Sequence, residues 1–335
     1  MSLNINLSKL EEKIVTNTKK SHSAALASVA VILLLILISS TASASIIETR
    51  ITTSGKVTNP DIEGNKIVWQ DIRNGNSTIY MLDTSTNKET HITDKSNQTE
   101  PAIYGNRVVW YEYPALNGPT IYIYNLSTHN ETPILSGDLG SPAIYGNTIV
   151  VDSEPGIMMY DLSTKQITQI SKQNGWVAID PAIYDNNIVW RDSRNEDGNS
   201  DIYMYDLSTS KETRITTSGK TGSPDIYGNK IVWQDKRNGN WDIYMYDLST
   251  QKETKITTNP LDSINPVIYG NNIVWQDNRN GNWDIYAYDL ITHQEIHTTD
   301  KSDQIAPAIY GNKIVWADYR NGNFDIYMGT ISYFQ

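Results

Sequence analysis

The tetrad Pro-x-Ile-[Tyr/Glu] begins at Pro60, Pro101, Pro142, Pro181, Pro224, Pro266 and Pro307. The spacings are 41, 41, 39, 43, 42 and 41 residues. A phrase recurring at so constant a period marks a repeat architecture, in which one supersecondary unit stacks on copies of itself. Such repetition also argues against reading the repeated residues as one catalytic constellation.

The stretch from Pro224 to Asn265 serves as the model unit. PDIYG is a short apolar run ended by Gly228-Asn229. KIVWQD is β-branched and aromatic, and Arg237-Asn238-Gly239-Asn240 follows as a hairpin turn. WDIYMYDL is a second strongly β run, Ser249 to Lys252 turns the chain again, and ETKITT is a polar, threonine-rich strand. Each unit therefore reads as four antiparallel strands, a to d. Ile231 and Trp233 point to one side and Val232 to the other. Ile243 and Met245 oppose Tyr244 and Tyr246. Both faces of the sheet are apolar and need covering. Sheets stacked about an axis in a closed ring cover one another, so the pattern predicts an all-β, seven-bladed β-propeller. The seventh unit stops after its third strand, FDIYMGTI. Residues 48–54, ETRITTS, match 212–218 of unit four. This N-terminal segment is expected to supply the missing strand and close the last blade.

The run IVWQDKRNGNWDIYMYDLSTQKETKIT resembles the TolB-type propeller repeat, in which a strand-turn-strand ending in Asp-Ile-Tyr precedes a short basic rim strand. The resemblance covers Ile46 to Gln335, and the run also resembles modules of archaeal cell-surface propellers. It implies the fold. The Gly-His and terminal Trp-Asp signature of WD40 repeats is absent, because Trp241-Asp242 and Trp283-Asp284 start strand c. TolB-type proteins carry a further α/β domain for which the 44 residues ahead of the ring leave no room, so their periplasmic partners are not carried over.

Those first 44 residues differ in character from the ring of 45–335. Ala24 to Ile38 is 15 residues without charge, preceded by Lys13, Lys19 and Lys20, and Ala42-Ser43-Ala44 fits a cleavage site. This layout predicts a secretory signal. An uncleaved anchor through residues 24–44 is the alternative. Either way the ring is expected outside the cytoplasmic membrane, at the envelope or cell surface. From Ser45 onward, 36 acidic residues face 23 basic ones, which excludes a nucleic-acid footprint. There is no cysteine, so the core alone must hold the fold. Sequons fall at Asn76, Asn97, Asn125 and Asn130.

Asp71, Asp192, Asp235, Asp277 and Asp318 occupy one repeat position, with an arginine two residues on in each. A charge-assisted pair bracing each turn is the reading. Calcium is the weaker one, since Arg279 lies inside the loop of oxygen ligands. The histidines are dispersed, and no Gly-x-Ser-x-Gly, His-Glu-x-x-His or phosphate loop occurs, so neither an enzyme nor a cofactor is expected. The repeat is broken in units two and three, where Glu112, Asp152 and Glu154 are candidates for a carboxylate cluster. The b–c turns and d–a loops should share a face carrying Trp176, Arg237, Trp241, Arg279, Trp283, Arg320 and Phe324. Aromatic and arginine side chains together suit a partner-binding face. The sequence thus predicts an exported, non-catalytic propeller that binds envelope or surface proteins. A carbohydrate-binding ring is the alternative, and a polysaccharide-active enzyme using blades two and three is the third reading.

Overall fold

The computed structural model describes residues 44–332 except 94, 96, 114–117, 155, 172–176 and 195–198. After β1 (Ser45–Arg50), blade one comprises β2 (Val57–Glu63), β3 (Lys66–Asp71), β4 (Thr78–Asp83) and β5 (Lys88–His91). Blade two is β6 (Gln98–Tyr104), β7 (Arg107–Glu112), β8 (Thr120–Asn125) and β9 (Asn130–Ser136). Blade three is β10 (Leu139–Tyr145), β11 (Thr148–Ser153), β12 (Gly156–Asp161) and β13 (Gln166–Gln169). Blade four is β14 (Ala178–Tyr184), β15 (Asn187–Asp192), β16 (Asp201–Asp206) and β17 (Lys211–Arg214). Blade five is β18 (Thr221–Tyr227), β19 (Lys230–Asp235), β20 (Asp242–Asp247) and β21 (Lys252–Lys255). Blade six is β22 (Ser263–Tyr269), β23 (Asn272–Asp277), β24 (Asp284–Asp289) and β25 (Glu295–His297). Blade seven is β26 (Gln304–Tyr310), β27 (Lys313–Asp318) and β28 (Asp325–Ser332), with β1 as its fourth strand.

Every blade is an antiparallel meander. In blade five Trp233 faces Tyr244 across the ladder, and Asp235 faces Asp242. Near its start each strand a slips register against strand b, in blade five between Gly222 and Asp225. The residue before the repeat proline takes up the slip. Asn59, Glu100, Asp180, Ser223, Asn265 and Ala306 all have φ between 46° and 55°. The proline that follows has no N–H to contribute to a ladder, which suits a bulge.

There is no single core. Seven apolar clusters each join two adjacent blades. Ile226, Ile231, Trp233 and Tyr244 pack against Val189 and Ile202 of blade four. Val232, Ile243 and Met245 pack the other way, against Ile268, Ile273, Trp275 and Tyr286 of blade six. The two apolar faces expected from the sequence are therefore both buried, and the strand-b tryptophans are wholly inaccessible.

The ring closes as expected. β1 pairs with β28 from Ser45↔Ser332 to Arg50↔Tyr327. Pairing begins three residues earlier than the Glu48 start read from the sequence, because β28 has 8 residues where β20 has 6. Gly329 holds the place taken by Tyr246 in blade five. A β-carbon there would lie 2.4 Å from Ile46 Cγ2 and 3.0 Å from Trp316. The closing strand occupies that volume.

Candidate functional site

Hydrogen bonds place b–c turns and d–a loops on one face. Trp241 N donates to Asp262 Oδ1 and Trp283 N to Asp303 Oδ1, each reaching the loop that leads to the next blade. Beneath these turns lies a repeated brace. Asp235 Oδ2 accepts from Trp233 Nε1 at 3.4 Å and from Arg237 Nε at 2.9 Å. Arg237 Nη1 lies 2.7 Å from Glu253 Oε1 on strand d, and its Cζ lies 4.3 Å from the Tyr244 ring centroid. Arg73, Arg194, Arg279 and Arg320 repeat the arrangement. Burial of the aspartate makes each pair a stiff link between strands b and d. Arg237, Arg279 and Arg320, expected on the partner-binding face, are thus occupied within their own blades. Blade two, lacking the Asp-x-Arg, substitutes Lys95. It pairs with Glu131 and sits 4.0 Å above the Tyr122 ring.

Trp241, Trp283 and Phe324 are half-buried at the turn exits. Trp176 lies outside the described residues. Besides Val177 and Leu261 of the d–a loops, this face exposes three apolar side chains that the sequence reading passed over. Ile72 is 43% exposed, Tyr113 57% and Tyr319 46%. All three occupy one repeat position, which in the other blades is Glu154, Ser193, Lys236 or Asn278. Its N–H bonds to the start of strand a in each blade, as Ile72 to Lys56 O at 2.9 Å and Tyr319 to Asp303 O at 2.9 Å. They stand in blades seven, one and two, which are contiguous around the ring although blade seven is far from the other two in sequence. The tell-tale is the residue after the last acid of strand b, Asp71, Glu112 or Asp318, and it means nothing until the ring is closed.

The carboxylates of the irregular blades separate. Glu112 is buried and accepts from Gln98 Nε2 at 3.1 Å, in the brace position of blade two. Asp152 stands one residue before the brace position, beside Gly140 of strand a. Burial, with the charges of Asp180 and Glu100 nearby, pushes its carboxyl up to about 6. Its notch exists because residue 140 is glycine, since a β-carbon there would lie 2.3 Å from Asp152 Oδ2. Glu154 is tied through its backbone to Asp138 at 3.2 Å. Among the described residues no group of three or more His, Cys, Asp or Glu is placed to hold a metal ion.

Strand a lines a central channel with a cavity of about 390 Å³. Its lower end carries Tyr104, Tyr145, Tyr184, Tyr227, Tyr269 and Tyr310 in sequence, with ring centroids 4.4–4.9 Å apart, and Glu63 at the seventh place. Two residues back, the wall is alanine or valine in five blades and aspartate in two. Asp61 accepts from Ile62 N and from Ile103 N of the next blade, both at 2.8 Å. Asp225 does the same with Ile226 N and Ile268 N. Burial pushes both carboxyls up to about 6 against these hydrogen bonds. The sequence signal was Pro-Asp-Ile in place of Pro-Ala-Ile.

Asn76, Asn97 and Asn130 are exposed, whereas Asn125 is half-buried and accepts from Ser127 N at 2.9 Å. Residues 1–43, with the expected cleavage-site residue Ala42, lie outside the described residues, and Ala44 is the first of them.

No protein-family model and no curated protein matches the chain. Solved structures do. The propeller domain of the trilobed protease from Pyrococcus furiosus superposes with a TM-score of 0.68 at 12% identity, over 82% of this chain and 92% of that one. TolB from Acinetobacter baumannii gives 0.50 at 16% identity, over 81% and 78%. In fold, the chain is a TolB-like β-propeller. The protease propeller is described as having an open velcro topology, whereas this ring is closed by the β1–β28 ladder. An oligogalacturonate lyase in complex with manganese gives 0.65 at 13% identity, over 87% of this chain and 97% of that one. That match corrects the expectation that the protein is not an enzyme. A lyase built as the same ring over almost its whole length shows that a complete propeller is no argument against catalysis. The physical reason is that a ring brings side chains from many blades to one mouth, so a reactive set leaves no local motif.

Proposed function

We propose that this TolB-like propeller is an exported binding module of the cell envelope that docks a protein on the face of the b–c turns and d–a loops. The supporting observation is the run of exposed apolar side chains at one ring position in three consecutive blades, Tyr319, Ile72 and Tyr113. Phe324 packs edge-on against Tyr319 at 5.1 Å and extends this sector toward Trp283 and Trp241. Clustered aromatic and aliphatic anchors ringed by polar groups are the usual makeup of a binding hot spot. The braces fix the turns beneath, so the anchors meet a partner with little ordering cost. The contact is off-centre, because Ser193 and Asn278 hold the same position elsewhere.

The test is affinity capture from envelope extract with the Ser45–Gln335 ring, comparing the parent with Ile72→Ser/Tyr319→Ser. A specific protein retained by the parent and released by the variant supports the reading. Equal retention by both, or binding to glycans alone, sinks it.

A further inference from the structure

Most buried aspartates of the ring carry a counter-charge; Asp284, held by Asn280 and Asn282, does not, and neither do the half-buried Asp61 and Asp225 of the channel wall. Asp71, Asp192, Asp235, Asp277 and Asp318 each pair with the arginine two residues on. Asp201 pairs with Arg214, Asp242 with Lys255 and Asp325 with Arg50. Among the described residues Asp61 and Asp225 make no ion pair. The channel wall around them carries a third acid, Glu63, and no lysine, arginine or histidine. A carboxylate partly withdrawn from water without a counter-charge is disfavoured, and hydrogen bonds from two backbone N–H groups offset only part of that.

Stapling of blades does not account for them. Asp61 ties blade one to blade two and Asp225 ties blade five to blade six. The five remaining junctions hold with Ala102, Ala143, Ala182, Val267 and Ala308 at that position. The clamp is therefore dispensable to ring formation. Each carboxylate oxygen accepts one N–H and keeps a lone pair free for a further donor. The two stand in blades one and five, on well-separated sectors of the channel, and the charge of Asp61 is felt at Asp225.

We propose that the central channel is a binding site for a small organic cation, an aliphatic amine carrying one or two ammonium groups, held by Asp61 and Asp225 above the tyrosine ring. The cavity of about 390 Å³ accommodates several non-hydrogen atoms, and its alanine, valine and isoleucine walls suit methylene groups. An ammonium group supplies the missing counter-charge and donates to the free lone pairs. The tyrosines add aromatic and hydroxyl surface at which a cation is favoured. A bare metal ion is a poorer fit, because the acids are spread around the wall rather than converged on one point.

The experiment is isothermal titration calorimetry of the intact ring with putrescine, its uncharged diol analogue and calcium chloride, at mildly alkaline pH and low salt. The expected result is saturable binding of putrescine, one per chain, and none of the diol. Asp61→Ala/Asp225→Ala places in blades one and five what four other blades already carry. It should melt cooperatively and lose at least ~10-fold in affinity. Asp225→Ala alone gives a second reading if the double variant folds poorly. No saturable binding of putrescine, equal binding of the diol, or undiminished affinity in the variants overturns the proposal. Calcium binding with 1:1 stoichiometry in place of the amine overturns it too.

Discussion

Arg50 reaches Asp325 at 2.5 Å across 275 positions of sequence. Arg214 reaches Asp201 at the same 2.5 Å within one blade. The surrounding segments, ETRITTSGK at 48–56 and 212–220, are identical. Their other contacts match as well. Gly55 N and Gly219 N each lie 3.1 Å from the aspartate, and Arg320 meets Glu48 as Arg194 meets Glu212. Blade seven is thus braced like the others, with half of the brace supplied from the opposite end of the chain.

Opening the ring should be possible with one methyl group. Gly329→Ala forces a β-carbon against Ile46 and Trp316, and overpacking of this kind costs about 1–3 kcal/mol. We expect β1 to yield first, because it is held on one edge only. Hydrogen exchange should rise in residues 45–50 and 326–331 ahead of the other blades. Uniform loss of protection around the ring would show that Gly329 has no special part in closure.

Adjacent residues in one turn should differ sharply. Asp235→Asn removes the charge that holds Arg237 and the acceptor of Trp233 Nε1, and should cost about 2–4 kcal/mol. Lys236→Ser, one residue on and exposed, should change stability by less than about 0.5 kcal/mol. Chemical denaturation of the two variants measures the contrast, and similar losses in both would remove the brace from the account.

Acid should favour the channel. The carboxyls of Asp61 and Asp225 are raised from 3.8 to about 6. Folding therefore favours their protonated forms. Their contribution is full below the ordinary carboxylate range and is lost as the pH rises through about 6, at ~1.4 kcal/mol for each unit of separation. Asp61→Ala/Asp225→Ala should accordingly gain stability relative to the parent between about pH 4 and about pH 7. Melting curves of the parent and variant over that window decide it. A constant difference means that these carboxyls do not titrate with folding.

Export makes a covalent prediction. If residues 1–44 are a cleaved leader, protein recovered from the envelope begins near Ser45 or Ile46, and N-terminal sequencing reads this directly. A start at Met1 or Ser2 would assign residues 24–44 to a membrane anchor.

The repeat made much of this legible in advance. The spacing of the prolines gave the number of blades, and the opposite orientations of Trp233 and Val232 implied two buried faces. The unmatched ETRITTS implied the closing strand. What escaped had a common cause. Tyr319 joins Ile72 and Tyr113 only when blade seven meets blade one. Asp61 and Asp225 become conspicuous only when strand a proves to be a channel wall. Gly329 looks like drift until Ile46 is seen in its space. Each is a property of the closed circle, and a linear pattern carries no information about it. The Asp235–Arg237 pair was legible as a turn brace, but its further partners Glu253 and Tyr244 were not, since they come from other strands of the blade.

The β1–β28 ladder also sets an order of events. β1 is among the first segments of the ring to be synthesised, and its partner is the last. Six blades can assemble on neighbours already present, yet β1 must wait for all of them. The final contact is the most non-local one in the molecule, and closing such a contact slows folding. Until then an unpaired strand and an open blade edge coexist on one chain. Nascent rings crowded on one messenger could trade those ends, each finished by the first strand of its neighbour.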